Sequence, residues 1–187
     1  MTRCVPSSAC GTVVPGPPPA ELKAFLARRR ELGLDAYDEV WEGVVHVPPM
    51  AHAWHGMVQA SLLIAVGGLA VRAGLQPSGP FDLGQKDDFR IPDAGVFDAV
   101  PQTAFVATAV LVVEVISPDD ETFEKFDFYT RAGVREVLTA DPQERKVRVW
   151  RLASKEPVEV VKCEVLGTTA AELTAAVPWP RLTPPCS

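Results

Sequence analysis

The chain has 187 residues, 47% hydrophobic and 22% charged, with a formal net charge of −6. This length and composition are typical of one ordinary globular domain with a sizeable core. The acidic balance excludes a protein coated in positive charge for nucleic acid, although it leaves a local basic groove open. Two basic clusters, Arg28 to Arg30 and Arg145 to Arg148, are interpreted as solvated faces rather than phosphate clamps.

The spacing of the cysteines and the length of the apolar runs predict the cellular compartment of the protein. None of Cys4, Cys10, Cys163 and Cys186 forms a Cys-x-x-Cys pair, which argues against zinc. No signal peptide is visible, so free thiols in a reducing cytoplasm are expected. The longest apolar run, residues 57–71, is shorter than the ~20 residues that cross a bilayer, and it predicts a core helix and no membrane span.

Local composition and periodicity predict the elements in chain order. Residues 1–19 are rich in proline, serine and glycine and predict a flexible leader, because such a segment buries too little to offset its ordering entropy. From residue 20 onward, apolar spacing and turn residues indicate regular structure. The predicted elements are a helix over 20–32, a hairpin of strands 37–40 and 44–47, a helix over 52–72, strands over 81–83, 93–97 and 111–116, a helix over 121–132, and strands over 136–140, 146–152 and 158–165.

This order predicts the fold class. Helix, hairpin, helix, strands, helix and strands indicate one α/β or α+β domain over residues 20–187, with a mixed sheet, helices on its faces and a loop-like C-terminal tail. The first helix is expected to turn Leu22, Phe25 and Leu26 inward. The inward residues expected of the second helix are Met57, Leu62, Ile64, Ala65 and Leu69.

Two apolar strands each carry one acid. Asp93 follows Pro92, and Glu114 lies between Val113 and Val115. A lone ionised carboxylate in a buried strand is costly, so a cation is expected nearby. Two carboxylates on neighbouring strands could share a divalent metal, which prefers oxygen ligands. A strand-entry turn at Asp93, and a buried pair between Glu114 and Lys125, are the structural alternatives.

The pieces around these acids, taken in order over roughly residues 20 to 165, resemble Uma2-type proteins. This is a bacterial family of restriction-endonuclease-like domains similar to the PD-(D/E)XK nuclease superfamily. The matching pieces are Tyr37-Asp38-Glu39, Gly43, Pro48-Pro49, His55, Arg90 to Asp93, Leu111 to Pro118, Glu124-Lys125, Tyr129, Arg131 to Val134 and Asp141-Pro142.

The resemblance implies a restriction-endonuclease-like mixed sheet flanked by helices. It implies that Asp93 and Glu114 hold Mg²⁺ or Mn²⁺, with a backbone carbonyl near Val115 as a further ligand. Lys125 is expected to orient the attacking water and to stabilise developing charge, and Glu39 to be a third acid. The sequence departs from the superfamily pattern at Ile116, where the site lysine usually stands, so the resemblance implies that Lys125 would serve from the next helix.

The function implied is Mg²⁺-dependent hydrolysis of DNA phosphodiester bonds, and a homodimer is expected by analogy with nucleases that cut duplexes. Two alternatives stay open: a catalytically inactive nuclease-fold module with a binding or regulatory role, and metal-dependent hydrolysis of another substrate in a narrow pocket. Structural roles are also expected for three residues. From the residues alone, Glu39 is expected to be an exposed hairpin residue, in contrast to the third acid that the resemblance implies. His55 is expected to cap or pack its helix, and Tyr129 to lie in the core with its hydroxyl bonded to a neighbour.

Overall fold

The structure is a computed structural model that describes residues 12–14 (backbone only), 19–48, 51–117, 121–152 and 156–181. The helices are α1 (Ala20–Glu31), α2 (Ala53–Arg72), a 3₁₀ turn (Thr122–Lys125) that leads into α3 (Phe126–Arg131), and α4 (Ala170–Ala176). The strands are β1 (Thr12–Val14), β2 (Glu39–Trp41), β3 (Val44–Val47), β4 (Gln76–Ser78), β5 (Asp82–Gln85), β6 (Asp88–Arg90), β7 (Ala94–Phe97), β8 (Phe105–Val106), β9 (Leu111–Val115), β10 (Glu136–Asp141), β11 (Lys146–Arg151), β12 (Val158–Val160), β13 (Lys162–Cys163) and β14 (Thr168–Thr169).

The central sheet is mixed, as the sequence predicts. Its described strands lie in the order β12-β11-β10-β9-β7-β4. β9 pairs in parallel with β10 and antiparallel with β7, so this buried strand lies between two other strands of the core. All five residues of β9 are buried, including Glu114, which explains why this strand is a continuous apolar run broken by a single acid.

Helices cover both faces of this mixed sheet, so both of its apolar faces are buried. On one face α2 and α4 pack beside each other on the odd-numbered residues of β9, such as Leu111 and Val113. On the other face α3 packs on Val112, chiefly through Phe126, Phe128 and Tyr129. Successive strand residues alternate between the faces, so Glu114 shares the face of Val112 and α3.

A second sheet has the described strand order β1-β3-β2-β6-β5-β8. Its β2–β3 hairpin turns at Glu42 and Gly43, both with positive φ, which is the geometry of a two-residue turn matching strand twist. The predicted hairpin is confirmed. β1 lies within the predicted leader and pairs with β3, while residues 1–11, 15–18 and 182–187 lie outside the described residues.

The predicted inward face of α2 is right only in part, because Leu62 is buried and Leu69 packs against the core as predicted. Met57 and Ile64 are exposed, and the buried row is Val58, Leu62, Val66 and Ala70. The helix is apolar nearly all round, so its hydrophobic pattern does not define which side meets the sheet. By length and composition alone α2 could cross a membrane, a test that core helices of soluble proteins pass as well.

The other helices also differ in detail from the sequence-based predictions. The inward face predicted for α1 is right only in part, since Leu22 and Leu26 are half-buried whereas Phe25 is exposed, and no residue of the helix is fully buried. The predicted helix over 121–132 begins as a 3₁₀ turn. The sequence reading has no element where α4 forms. That helix starts with a capping box, in which Thr169 and Glu172 each accept the other's backbone N–H.

Arg90 fastens the second sheet to α3. Its guanidinium lies between the rings of Trp41 and Phe128, 4.4 and 4.2 Å from their centroids. Its Nη1 donates to the carbonyl of Val40 at 2.9 Å and to the carboxylate of Asp88 at 2.9 Å. The buried side chain therefore combines cation–π contacts with charge-assisted hydrogen bonds.

Replacing Arg90 by methionine is expected to lower the free energy of unfolding by about 2–3 kcal/mol, because the carbonyl of Val40 and the Asp88 carboxylate lose their donor. Urea denaturation measures the change. The matched control is Arg131→Met, which removes an exposed arginine 3.4 Å from the exposed Glu42. That control is expected to shift the free energy by less than about 0.5 kcal/mol, and equal losses in the two variants would refute the role assigned to Arg90.

Candidate active site

The strand register brings the two predicted acids together. Ala94 of β7 lies opposite Val113 of β9 in an antiparallel ladder, so Asp93 reaches the position opposite Glu114 at the end of that ladder. The negative charge of Asp93 raises the pKa of Glu114, which is the electrostatic consequence of this proximity. Asp93 and Glu114 therefore converge at one end of the central sheet, where β9 ends and α2 begins.

Asp93 is held by three groups from two elements. Its Oδ2 accepts a hydrogen bond from the backbone N–H of Val115 at 2.7 Å. Its Oδ1 lies 2.9 Å from Nε2 of His55, and its main-chain oxygen accepts from the side-chain amide of Gln59 at 2.7 Å. The Asp93 side chain thus contacts α2 and β9, which are distant in the chain, whereas a residue that only shapes the turn before β7 would need local contacts alone.

Glu114 is buried among other titratable groups. Its Oε1 accepts a hydrogen bond from the Tyr129 hydroxyl and lies 3.6 Å from Nζ of Lys125. Burial raises the pKa of Glu114 to about 8, although Lys125 and the Tyr129 hydrogen bond lower it, and the charges of Asp93 and Glu39 add to the rise. Burial, together with the Glu114 charge, raises the pKa of Tyr129 well above its ordinary value. The prediction that Tyr129 lies in the core with a bonded hydroxyl is confirmed.

Lys125 and Glu39 complete the cluster. The Lys125 ammonium donates to Oε1 of Glu39 at 2.9 Å, and that oxygen also accepts the backbone N–H of Ile91 at 2.8 Å. Oε2 of Glu39 accepts from the indole N–H of Trp41 at 2.6 Å. The expectation that Glu39 is an exposed hairpin residue is wrong, because its carboxylate is buried and links β2 to Ile91, directly after β6, and to the 3₁₀ turn.

The donor set fits a divalent cation in its chemistry. Glu39, Asp93 and Glu114 supply three carboxyl groups, and Lys125 forms ion pairs with two of them, at 2.9 Å from Glu39 and 3.6 Å from Glu114. A hard divalent ion, which takes carboxylate oxygens, would balance this excess of buried acid. Among residues 19–48, 51–117, 121–152 and 156–181 the structure has no cluster of three or more His, Cys, Asp or Glu side chains arranged to hold a metal ion. Asp93 and Glu114 would therefore need backbone or water oxygens to complete the coordination.

Two site residues were assigned other roles or none from the sequence. His55 was expected to cap or pack α2, and no role was assigned to Gln59, yet both contact Asp93. Their signal is the spacing of four residues between two polar side chains on an otherwise apolar helix, which puts both on one face. Two cavities of about 350 Å³ and 430 Å³ have other linings, and neither lining includes Asp93 or Glu114.

The raised pKa of Glu114 predicts a pH dependence of the metal-free protein's stability. The folded-state pKa, about 8, exceeds the ordinary value of 4.5 that applies to the unfolded chain. The folded state therefore binds the proton more tightly, and this contribution is present below pH 4.5 and lost as pH rises towards 8. The free energy of unfolding in EDTA is expected to fall by a few kcal/mol between pH 5 and pH 9 from this group.

Glu114→Gln is the control for this titration, because it keeps the shape and removes the ionisable group. Urea denaturation at several pH values is expected to show a flatter profile for Glu114→Gln than for the wild-type chain. Identical slopes in the two proteins would mean that Glu114 does not retain its proton on folding.

Comparisons with known proteins agree with this architecture. The family model of Uma2, described as "Putative restriction endonuclease", matches residues 28–183. A solved structure of a putative nuclease belonging to DUF820 from Anabaena variabilis ATCC 29413 is similar in fold, with a TM-score of 0.63 and 16% sequence identity over 75% of this chain and 90% of that one. No curated protein matches. The family match covers most of the chain and the mixed α+β fold is that of this nuclease structure, so the chain belongs to the Uma2 family.

Proposed function

We propose that the chain is a divalent-metal-dependent endonuclease that hydrolyses DNA phosphodiester bonds. The observation that supports this proposal is the convergence of Asp93, Glu114 and Lys125 at the end of one buried strand pair. The family suggests a nuclease, and DNA is the substrate expected of a restriction-endonuclease-like protein. The choice between Mg²⁺ and Mn²⁺ belongs to the proposal.

Each residue of the cluster has a proposed role. Asp93 and Glu114 hold the ion, which when bound supplies an electrophile for a phosphate oxygen and lowers the pKa of a coordinated water. Lys125 offers N–H donors to the water and to the developing negative charge. Glu39 holds Lys125 through a 2.9 Å hydrogen bond and is itself held by the N–H of Ile91, so it positions the ammonium.

Cleavage of supercoiled plasmid tests this proposal. The purified full chain is incubated with Mg²⁺ or Mn²⁺, and nicked and linear products are quantified against a reaction that contains EDTA. Metal-dependent products that disappear on chelation support the proposal. Intact plasmid, linear duplex and single-stranded DNA with both ions would contradict it.

A catalytically inactive nuclease-fold module is the second candidate, and one observation favours it. Lys125 bonds to Glu39 at 2.9 Å and lies 3.6 Å from Glu114, so the cluster's own lysine offsets part of the buried negative charge. Such a pair satisfies charges without chemistry. DNA binding without cleavage, unchanged by EDTA, would select this candidate over the first.

We also propose that the protein is a cytoplasmic homodimer that associates through the exposed face of α2. Met57, Ile64 and Val71 are 60%, 78% and 64% exposed and follow one another at seven-residue spacing. No charged residue lies between positions 53 and 71. Because the chain has a net charge of −6, two copies that pair through α2 bring together the surfaces with the least electrostatic repulsion. A helix pair offers roughly 30 Å by 10 Å per copy, less than the ~800 Å² per partner of a standard interface, which predicts weak association.

Sedimentation of the wild-type chain is expected to show monomers near 1 μM and dimers near 200 μM. Ile64→Glu should remain monomeric at both concentrations because it places a charge at the centre of the face. Val161→Glu is the matched control, since Val161 is also 78% exposed and lies outside α2. A monomeric wild-type chain at 200 μM, or equal effects of both substitutions, would refute this interface.

A further inference from the structure

Two polar side chains on one side of α2 contact the same acid, Asp93. Nε2 of His55 lies 2.9 Å from Oδ1 of Asp93, and the amide of Gln59 donates to the main-chain oxygen of Asp93 at 2.7 Å. Residues four apart lie on the same face of a helix, so one turn of α2 contacts both the carboxylate and the backbone. Val58 and Leu62 continue this face into the core, which fixes the helix relative to the sheet.

The second ring nitrogen of His55 is also engaged. Nδ1 lies 3.0 Å from Oγ of Ser117, two residues after β9 ends. A carboxylate oxygen can only accept, so Nε2 carries a proton and donates to Asp93. In the neutral ring Nδ1 then accepts from the Ser117 hydroxyl. The two contacts together set the tautomer and the plane of the imidazole.

The carboxylate of Asp93 is thereby fixed at both oxygens. Oδ1 faces His55 and Oδ2 accepts the N–H of Val115 at 2.7 Å. Each oxygen has two lone pairs, so each keeps one that a cation can use. The orientation of this acid depends on partners from α2 and β9, and both His55 and Asp93 are largely buried, with side-chain exposures of 12% and 18%.

We propose that His55 is a positioning residue of the metal site, which orients Asp93 for a divalent cation and is itself oriented by Ser117. This inference rests on the metal-dependent function proposed above. Outer partners of metal ligands of this kind act through the ligand, and their removal typically weakens metal binding by about 10–100-fold. A purely structural His55 would instead change the stability of the fold and leave the ion affinity of the folded protein unchanged.

Titration of the metal-free full chain with Mn²⁺, with free ion measured by electron paramagnetic resonance, separates these roles without using activity. His55→Ala is expected to weaken Mn²⁺ binding about 10–100-fold. His55→Gln, whose amide keeps a donor, should remain within about 5-fold of wild type, between the wild type and His55→Ala. His52→Ala is the matched control, because His52 is exposed and stacks on Trp54 instead. It should bind Mn²⁺ as the wild type does.

Thermal unfolding of each variant without metal accompanies the titration. Unchanged Mn²⁺ affinity in His55→Ala, whatever its melting temperature, overturns the positioning role while leaving the proposed function intact. If the wild type itself binds no Mn²⁺, the proposed function fails and the positioning role fails with it. If His55→Ala does not fold, Ser117→Ala decides, with an affinity loss of at least about 3-fold expected and no loss contradicting the inference.

Discussion

Asp93→Asn is expected to reduce metal-dependent DNA cleavage by roughly 10³-fold or more, since a metal ion contributes several kcal/mol of transition-state stabilisation. The amide keeps the size of the side chain and one acceptor for the Val115 N–H, which donates to Asp93 at 2.7 Å. It loses the negative charge that a cation requires. Initial rates of plasmid nicking under excess Mg²⁺ measure the loss.

Asp98→Asn is the matched control for this substitution. Asp98 is an exposed acid directly after β7, the strand that Asp93 precedes, so the same chemical change falls on the same strand away from the cluster. Its nicking rate should equal that of the wild type. Residual activity of Asp93→Asn within 10-fold of wild type would remove Asp93 from the metal site and leave the nuclease proposal without its first ligand.

Lys125→Met is expected to destabilise the metal-free fold by about 3 kcal/mol at pH 7, because it leaves the Glu39 carboxylate buried without its cation. The side chain of Lys125 is only 13% exposed, so water does not replace the lost partner. Chemical denaturation measures the change. The same variant is expected to lose DNA cleavage even where it is fully folded, since the proposed donor to water and leaving group is gone.

A second substitution separates charge pairing from catalysis. Glu39→Gln added to Lys125→Met removes the orphaned charge but keeps an acceptor for only one of the Ile91 and Trp41 N–H groups, so it should recover part of the lost stability, while cleavage stays absent. Lys146→Met serves as the control, because Lys146 and its partner Glu159 are 48% and 46% exposed, and a shift below about 0.5 kcal/mol is expected. Recovery of cleavage together with stability would mean that Lys125 serves the fold alone.

The proximity of Asp93 and Glu114 was predictable from the sequence because it follows from the pairing of two buried strands. Glu114 interrupts a continuous apolar run, and Asp93 directly precedes an earlier apolar run, so the two acids lie on neighbouring strand segments of one buried sheet. Burial of a carboxylate needs a partner, which also predicted the pair between Glu114 and Lys125, now seen at 3.6 Å. The order of helices and strands was enough to predict the mixed α+β fold.

The orientation of α2 was not predictable from hydrophobic spacing, because Met57 and Val58 are equally apolar and only one of them meets the sheet. The polar pair His55 and Gln59 defines the face, and its meaning depends on where Asp93 lies in space. The burial of Glu39 likewise depends on the distant Ile91 and Lys125. Contacts between residues far apart in the chain decide these points.

The shortest strands and α4 were not predicted from the sequence, for a different reason. β4, β8 and β14 have three residues or fewer, too few for a period of two to be recognised. α4 has seven residues and lies between segments read as loop, although the Thr169 and Glu172 capping box marks its start. Sequence patterns this short do not predict an element by themselves, because a strand or helix of this length forms only where a neighbouring surface stabilises it.

Diffraction from crystals soaked in Mn²⁺, recorded at a wavelength where manganese scatters anomalously, tests the central claim most directly. The account predicts one anomalous peak within about 2.0–2.4 Å of carboxylate oxygens of both Asp93 and Glu114, absent from crystals of Asp93→Asn. A fully occupied peak elsewhere, or no peak while Lys125 stays bonded to Glu39 and Glu114, would contradict it.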